Sequence, residues 1–419
     1  MTTVPPLQLS PRRVRLALLA LALGGFAIGS TEFVAMGLLP NIAHAMLPSE
    51  YAANTASANA HAGIIISAYA FGVVVGAPTI AALGARLPRK RLLMGLTLAF
   101  TLATIAASLA PTFGWLVFFR FLCGLPHGAY FGIAALVAGD LMGPGKQGRG
   151  VALVMSGLAV ANVVGVPGIT WIGETWGWRV AYGAVAALFA ATCVAVTLAL
   201  PYRPGRPEQT VRRELKAFGK LQVWLAIGMG AIGFGGFFAM DTFIAPLVTD
   251  VAHLPAGFVP VALTVFGLGM VVGNLVGGRL ADHNVRLAML LAFGTLAVAL
   301  AIAASVAHLP VPLYIAMFLV GGTGSLVTPA VQLWLFRVAH ESPAIAGAIH
   351  HSAFNLGNSL GAFLGGVVVA AGFGYVAGIW LGVGLSLAGA AIALLAIGLA
   401  RGDGQSALAP NAAAIESVR

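Results

Sequence analysis

Residues 16–39 read Leu16-Ala-Leu-Leu-Ala-Leu-Ala-Leu-Gly-Gly-Phe-Ala-Ile-Gly-Ser-Thr31-Glu32-Phe-Val-Ala-Met-Gly-Leu-Leu39. An apolar stretch of this kind forms a helix that crosses ~30 Å of hydrocarbon, for which about 20 residues suffice. One carboxylate, Glu32, stands inside it. An acid at that depth is costly, and its presence points to a task. Arg12, Arg13 and Arg15 precede the stretch as in a secretory leader. The apolar run nevertheless continues through Phe33 to Leu39 and has a counterpart later in the chain, so it is read as a retained first helix.

Eleven further apolar segments follow, at 63–82, 92–110, 115–139, 150–172, 180–200, 221–247, 258–280, 287–307, 312–335, 344–370 and 376–400. Of the 419 residues, 59% are hydrophobic and 8% charged. A soluble domain needs about 25% charged residues to keep a wet surface, so this chain is expected to face lipid. The fold class is therefore an all-α membrane protein with twelve transmembrane helices, which the linker and the repeat below divide into two six-helix bundles around a central cavity.

The net charge of +10 does not point to nucleic acid, because the basic residues lie in short turns beside the spans. When the spans alternate, all of the 22 Lys and Arg except Arg120 and Arg179 fall on one side. Basic loops stay in the cytoplasm. Both termini are thus expected inside a cytoplasmic (inner) membrane of bacterial type. Cys123 and Cys193 both fall in spans and read as packing residues.

Residues 201–220 are the one long polar interruption and separate six spans from six. The division is a cytoplasmic N-terminus over 1–15, a bundle over 16–200, a cytoplasmic linker over 201–220, a second bundle over 221–400 and a cytoplasmic tail over 401–419. The halves also repeat. Glu32-Phe-Val-Ala corresponds to Asp241-Thr-Phe-Ile-Ala, 209 positions later. Ala81-Ala-Leu-Gly-Ala-Arg86 corresponds to Gly278-Arg-Leu-Ala-Asp282-His283 at 197, and Ala161-Asn162-Val-Val-Gly165 to Gly357-Asn358-Ser-Leu-Gly361 at 196. One longer external loop, 40–62 against 248–257, brings all three into register. Halves with an even number of spans share an orientation. They are then related by an axis along the membrane normal, with a substrate cavity between them.

Four stretches carry a family resemblance. They are Ser30-Thr31-Glu32-Phe33-Val-Ala-Met-Gly-Leu-Leu-Pro40, Arg120-Phe-Leu-Cys-Gly124-Leu-Pro-His127-Gly128, Gly157-Leu-Ala-Val-Ala-Asn162-Val-Val-Gly165-Val-Pro167-Gly168 and Ala353-Phe-Asn355-Leu-Gly357-Asn358. Through them the chain resembles the major facilitator superfamily, and within it the twelve-span drug:proton antiporters with the sugar and purine efflux permeases. The resemblance implies secondary active transport by alternating access, usually by a monomer. It further implies that the loop after span two helps close the cytoplasmic side through a charge network. That loop keeps Arg86 and Arg89 but has Ala85 where the family has an acid. Asp140 is the expected substitute partner, and the repeat copy retains Asp282. Gly165 and Pro167 resemble the antiporter signature of span five, which the family associates with efflux. A proline there also removes a backbone bond and bends the helix.

Glu32 and Arg120 fall at similar depths from the external side, ~10 and ~8 Å at 1.5 Å per residue, so the two can meet. An arginine favours the ionised acid and burial favours the neutral one. A carboxylate held between them can load and release a proton. His127, near the middle of span four, joins the coupling group as a possible relay, against a plain packing role. Asp241, the repeat partner of Glu32, is an acid where this group more often has an aromatic residue. It stands as a substrate ligand for a cation or a polyhydroxyl compound, or as a helix-end cap. Asn162, Gln332, His350, Asn355 and Asn358 are the other polar candidates for the substrate cavity, or else helix-bridging groups. Small residues four apart, as in Gly124/Gly128/Gly132 and Gly357/Gly361/Gly365, are expected to seat helices closely.

The sequence has no Gly-x-x-x-x-Gly-Lys phosphate loop, no nucleophile–base arrangement and no metal-ligand spacing. The expectation is a transporter and not an enzyme, without cofactor or metal, driven by the proton gradient. Its partners are a small-molecule substrate, protons and lipid. Two rivals stand beside export: a proton symporter importing a similar solute, and a transporter-shaped sensor, which would be expected to carry an appended soluble domain.

Overall fold

The computed structural model describes residues 10–84, 87–143, 147–202, 218–339 and 343–402. Ten helical stretches are long and apolar enough to cross a membrane, and two of them, Ala256–Val306 and Ile349–Ala400, run to 51 and 52 residues. At 1.5 Å per residue each is about 75 Å long, twice what one crossing needs. Both divide. In the first, Asn284 leaves helical geometry (φ −154°, ψ 96°), and its Oδ1 accepts from the Leu287 N–H at 3.2 Å. That is an N-cap, which ends one span and starts the next. In the second, Gly372 and Gly374 take φ of 87° and 78°, a left-handed conformation that suits glycine. Twelve spans result.

Span 1 is Pro11–Gly37, starting within the stretch expected to be the N-terminal arm, with Ser10 as its cap. Span 2 is Ile64–Gly84 and span 3 Arg89–Ser108. Span 4 is made of Phe113–Gly124 and His127–Met142, interrupted at Pro126, which has no N–H to give. Span 5 runs from Gln147–Val160 through a π-helical turn, Ala161–Gly165, into Val166–Trp176. Span 6 is Trp178–Ala199. Span 7 is Leu221–Gly228, a π turn at Met229–Gly233, then Gly235–Asp241. Spans 8 and 9 share Val259–Val306, and spans 10, 11 and 12 are Pro310–Val338, Pro343–Val368 and Gly374–Gly402. Most of the expected linker, 203–217, and the tail from 403 lie outside the described residues.

Lipid gives no hydrophobic drive between helices, so close packing must hold them. Glycines supply it, in duplicate. A methyl group on Gly72 or Gly76 of span 2 would run into the carbonyls of Phe121 and Leu125 in span 4. On Gly269 or Gly273 of span 8 it would meet those of Phe318 and Gly322 in span 10. Gly124 against Tyr69 is likewise repeated by Gly321 against Phe266. Every one of these pairs is offset by 197. Spans 1 and 5 meet where Gly157 abuts the Ala22 carbonyl, and spans 7 and 11 where Gly357 abuts that of Gly230. Gly132 is the exception among the expected seats, since nothing lies within 4 Å of the place its methyl would occupy. Outward faces carry Leu19, Leu102, Leu198 and Val311, all more than half exposed, as a lipid-facing surface requires.

The longer loop between spans 1 and 2 is not loose. It folds into three short helices, Leu39–Met46, Pro48–Ala53 and Thr55–Ala62. Glu50 ties the last two together, taking the Ser57 hydroxyl at 2.9 Å and lying 2.8 Å from His61 Nδ1. These bonds hold its carboxyl below the usual 4.5, the histidine contact contributing most. Buried Asn59 then donates from Nδ2 to the Tyr375 hydroxyl at 2.8 Å. Residues 39–62 thus form a lid anchored to the start of span 12 in the other half.

Candidate functional site

Glu32 is buried, 7% exposed, five residues before span 1 ends. Arg120 lies seven residues into span 4 and is fully buried. These counts put the two at ~8 and ~10 Å from their helix ends. The two form no direct ion pair. Arg120 Nη1 donates to the Thr31 carbonyl at 3.1 Å and approaches Thr31 Oγ1 at 3.3 Å. Its guanidinium carbon sits 4.4 Å from the centroid of the Tyr69 ring and 5.7 Å from that of Tyr182. Neighbouring residues on a helix point about 100° apart, so an arginine seated on Thr31 does not also grip Glu32. Its charge remains within electrostatic reach of the acid. A desolvated guanidinium over a tyrosine face gains roughly 2 kcal/mol, which offsets part of the cost of leaving Nε and Nη2 without hydrogen bonds.

Glu32 turns instead toward the other half, where Asn358 Nδ2 of span 11 donates to its Oε1 at 3.4 Å. The counterpart positions also lie near each other, with no hydrogen bond between them among the described residues. Asn162, the repeat counterpart of Asn358, lines a small hollow with Asp241, the counterpart of Glu32. Phe33, Leu263, Phe266 and Met270 supply most of its remaining wall. Asn162 sits in the π turn of span 5, where the Val166 N–H reaches five residues back to the Ala161 carbonyl. The turn lies just ahead of Pro167, whose ring would crowd a regular helix, so the expected bend takes the form of a widened turn. Close approach of Gly267 to the Asn162 carbonyl brings span 8 against it.

His127 opens the second segment of span 4, with Nδ1 at 2.9 Å from the Tyr69 hydroxyl. Its ring centroid is 6.2 Å from that of His351, which stacks on Phe131 at 5.5 Å. His350 is buried beside Phe354, with ring centroids 4.3 Å apart and Nδ1 unpartnered among the described residues. A connected polar series therefore runs from Arg120 through Tyr69 and His127 to the histidines of span 11. The halves touch on both sides of Glu32: through Asn59–Tyr375 and Ser67 Oγ to the Ser359 carbonyl (3.1 Å) toward the lid, and through Phe131–His351 toward the basic end.

The remaining candidates separate. Asn355 is buried, but its Nδ2 bonds the His351 carbonyl at 3.0 Å within its own helix. Gln332 is half-buried on span 10 and makes no side-chain hydrogen bond among the described residues. At the basic end Arg89 Nη1 donates to Asp140 Oδ2 at 2.7 Å, joining spans 3 and 4. Asp282 is exposed, two residues before the turn at Asn284, and forms no ion pair among the described residues. Arg86 lies outside the described residues.

The sequence reading passed over Thr31, Tyr69, Phe33 and Phe266. Tyr69 carried a cue, since a tyrosine in mid-span, away from the interfacial belts, needs a partner for its hydroxyl. The 197 offset would also have matched it with Phe266.

The sequence profile of the Major Facilitator Superfamily matches residues 21–349 and 242–413. Inner membrane transport protein YdhP of Escherichia coli (strain K12) is 38% identical over 364 residues, covering 87% of this chain and 91% of that protein. The chloramphenicol resistance protein of Streptomyces lividans is 32% identical over 369 residues, covering 87% and 92%. Among solved structures, a D-xylose-proton symporter superimposes with a TM-score of 0.73 over 91% of this chain and 97% of that one; at 14% identity the likeness is one of fold.

Proposed function

The chain belongs to the major facilitator superfamily, and from that premise we propose that it exports a small organic solute, of the drug, sugar or nucleoside class, in exchange for protons by alternating access. One observation carries the reading. Glu32 is a buried carboxylate on the seam between the halves, hydrogen-bonded to the half opposite its own and enclosed by contacts toward both ends. Rocking the halves exposes such a group first to one side and then to the other, while Arg120 favours the charged form and dehydration the neutral one. A proton taken up outside is then released inside. Tyr69 and His127 extend the polar path, and Asp241 and Asn162 face the solute. Arg89 and Asp140 brace the cytoplasmic end.

In this reading the lid over 39–62 faces outward and both termini are cytoplasmic, in a bacterial-type inner membrane. The halves comprise 16–200 and 221–400. The protein works as a monomer in lipid, without cofactor, as a transporter and not an enzyme. Direction is supported by the widened turn before Pro167 and by a relative whose name records chloramphenicol resistance. Import by proton symport uses the same fold. Right-side-out vesicles given an inward proton gradient distinguish the two: loss of preloaded solute is expected, and accumulation inside would reverse the assignment.

A further inference from the structure

Spans 3 and 6 lie side by side, joined at their buried seam by the stacked rings of Phe100 and Phe189, 4.3 Å apart. Span 3 starts at the basic end with Arg89-Lys90-Arg91, and span 6 finishes there before Leu200-Pro201-Tyr202. The three cations are engaged unequally. Arg89 donates to Asp140 at 2.7 Å. Lys90 lines the same shallow crevice as that pair, yet makes no hydrogen bond or ion pair among the described residues. Arg91 is exposed and rests on a ring instead of an acid, its guanidinium carbon 5.5 Å from the centroid of Tyr202. Three cations around one acid leave two positive charges unmatched.

Beyond this foot the outer surface is apolar. Leu98 and Leu102 follow Arg91 at seven and eleven residues and so share its side of the helix. On span 6 Val194 and Leu198 stand four apart, and all four side chains are at least half exposed. The repeat separates the foot from the general bias of basic residues toward that end. Buried Leu93, Phe100 and Ala107 of span 3 recur as Met289, Leu296 and Ala303 of span 9, 196 residues on. Buried Trp178, Tyr182 and Phe189 of span 6 recur as Tyr375, Ile379 and Ser386 of span 12, 197 residues on. In that register Arg91 becomes Leu287 and Tyr202 becomes Leu399, both exposed. The second half repeats the pair of helices with an apolar foot.

A free phosphate would meet the cations and leave the leucines bare. A neutral lipid would cover the leucines and leave the cations unmatched. A molecule with an anionic head and an apolar chain satisfies both, and basic pockets between spans at the cytoplasmic surface hold such heads. We propose that the groove between spans 3 and 6 binds one anionic glycerophospholipid, such as phosphatidylglycerol. Its phosphate is met by Lys90 and Arg91, and an acyl chain lies along Leu98, Leu102 and Leu198. Tyr202 holds the Arg91 guanidinium in place through its ring. The crevice behind is too shallow to enclose a solute, which suits a head lying across its mouth. The site stands on the outer face of the first bundle and does not depend on the transport reading.

Native mass spectrometry of the full-length protein in detergent tests this, with dioleoylphosphatidylglycerol, dioleoylphosphatidylcholine and glycerol phosphate titrated separately. One phosphatidylglycerol per chain is expected, held about tenfold more tightly than phosphatidylcholine, with no retention of glycerol phosphate. Lys90→Gln combined with Arg91→Gln should weaken phosphatidylglycerol binding by about tenfold or more and leave phosphatidylcholine unchanged. Tyr202→Leu, which copies the foot of the second half and keeps both charges, should weaken it in the same direction. Arg279→Gln, an exposed cation of span 8 outside the groove, should leave it unchanged; a lipid-free melting curve on each variant checks the fold. Equal affinity for the two lipids, unchanged affinity in the double variant, or an equal loss in Arg279→Gln overturns the proposal. Glycerol phosphate held as tightly as the lipid overturns it too, and assigns the cations to a free phosphate.

Discussion

Asn358 Nδ2 reaches Glu32 Oε1 at 3.4 Å across the boundary between the two halves. The bond links the charge on span 1 to the position of span 11, so the state of the acid and the fit of the halves depend on each other. Glu32→Gln keeps the shape of the side chain and removes the exchangeable proton. Uphill export should then disappear while equilibrium binding of solute persists. Flux in proteoliposomes under an imposed proton gradient, with binding measured separately, checks this; undiminished gradient-driven export would take Glu32 out of the coupling step.

Arg120 should resist conservative replacement. Lysine keeps the charge but loses the planar group that lies over Tyr69 while donating to Thr31. Transport by Arg120→Lys is expected to fall about tenfold or more. Arg120→Ala removes the charge near Glu32, the donor to Thr31 and the cation over Tyr69, the last worth roughly 2 kcal/mol when desolvated, and should lower the melting temperature. Melting in detergent reports the stability loss, and normal transport by the lysine variant would show that charge alone suffices.

The glycine seams give a stability test with an internal control. Gly72→Ala and Gly269→Ala each drive a methyl into a neighbouring backbone carbonyl, of Phe121 and Phe318 respectively. Overpacking of this kind costs about 1–3 kcal/mol. Gly132→Ala meets open space and should melt like the parent. If all three variants melt alike, the seams do not hold the spans.

The lid responds to acid with a definite sign. Glu50 is held below 4.5 by His61 and Ser57, so the stability it contributes is present above that value and lost as pH falls through the lower, folded one. The pair is partly exposed, which limits the effect to about 1 kcal/mol. Protection of the backbone amides over residues 48–62, taken relative to the intrinsic exchange rate at each pH, should be high at neutral pH and fall in acid. Glu50→Gln should show the lower protection already at neutral pH; a profile identical to the parent would mean the pair does not secure the lid.

Span number, the duplication and the buried acids were legible because each rests on composition or spacing. Asn284 was harder: an N-cap made by one side chain inside a continuous helix leaves little mark on hydropathy, although the boundary it makes falls inside the gap between the two expected spans. Glu32 and Arg120 lie within electrostatic reach, as their depths implied, but make no direct ion pair, and the reason is directional. Depth along a helix can be counted from sequence, whereas the facing of Thr31 against Glu32 depends on how spans 1 and 4 are turned about their axes. Asp282 lies just before the turn at Asn284, whose course the repeat alone does not give. The 39–62 insertion was visible as length, but its folding onto Tyr375 is tertiary.

Halves that share an orientation across the membrane do not make its two faces alike. One face carries the buried Asn59–Tyr375 bond between the halves, supplied by the longer loop that belongs to the first half. Parting the halves at that face requires breaking this bond, a cost that arises from an insertion carried by one half alone.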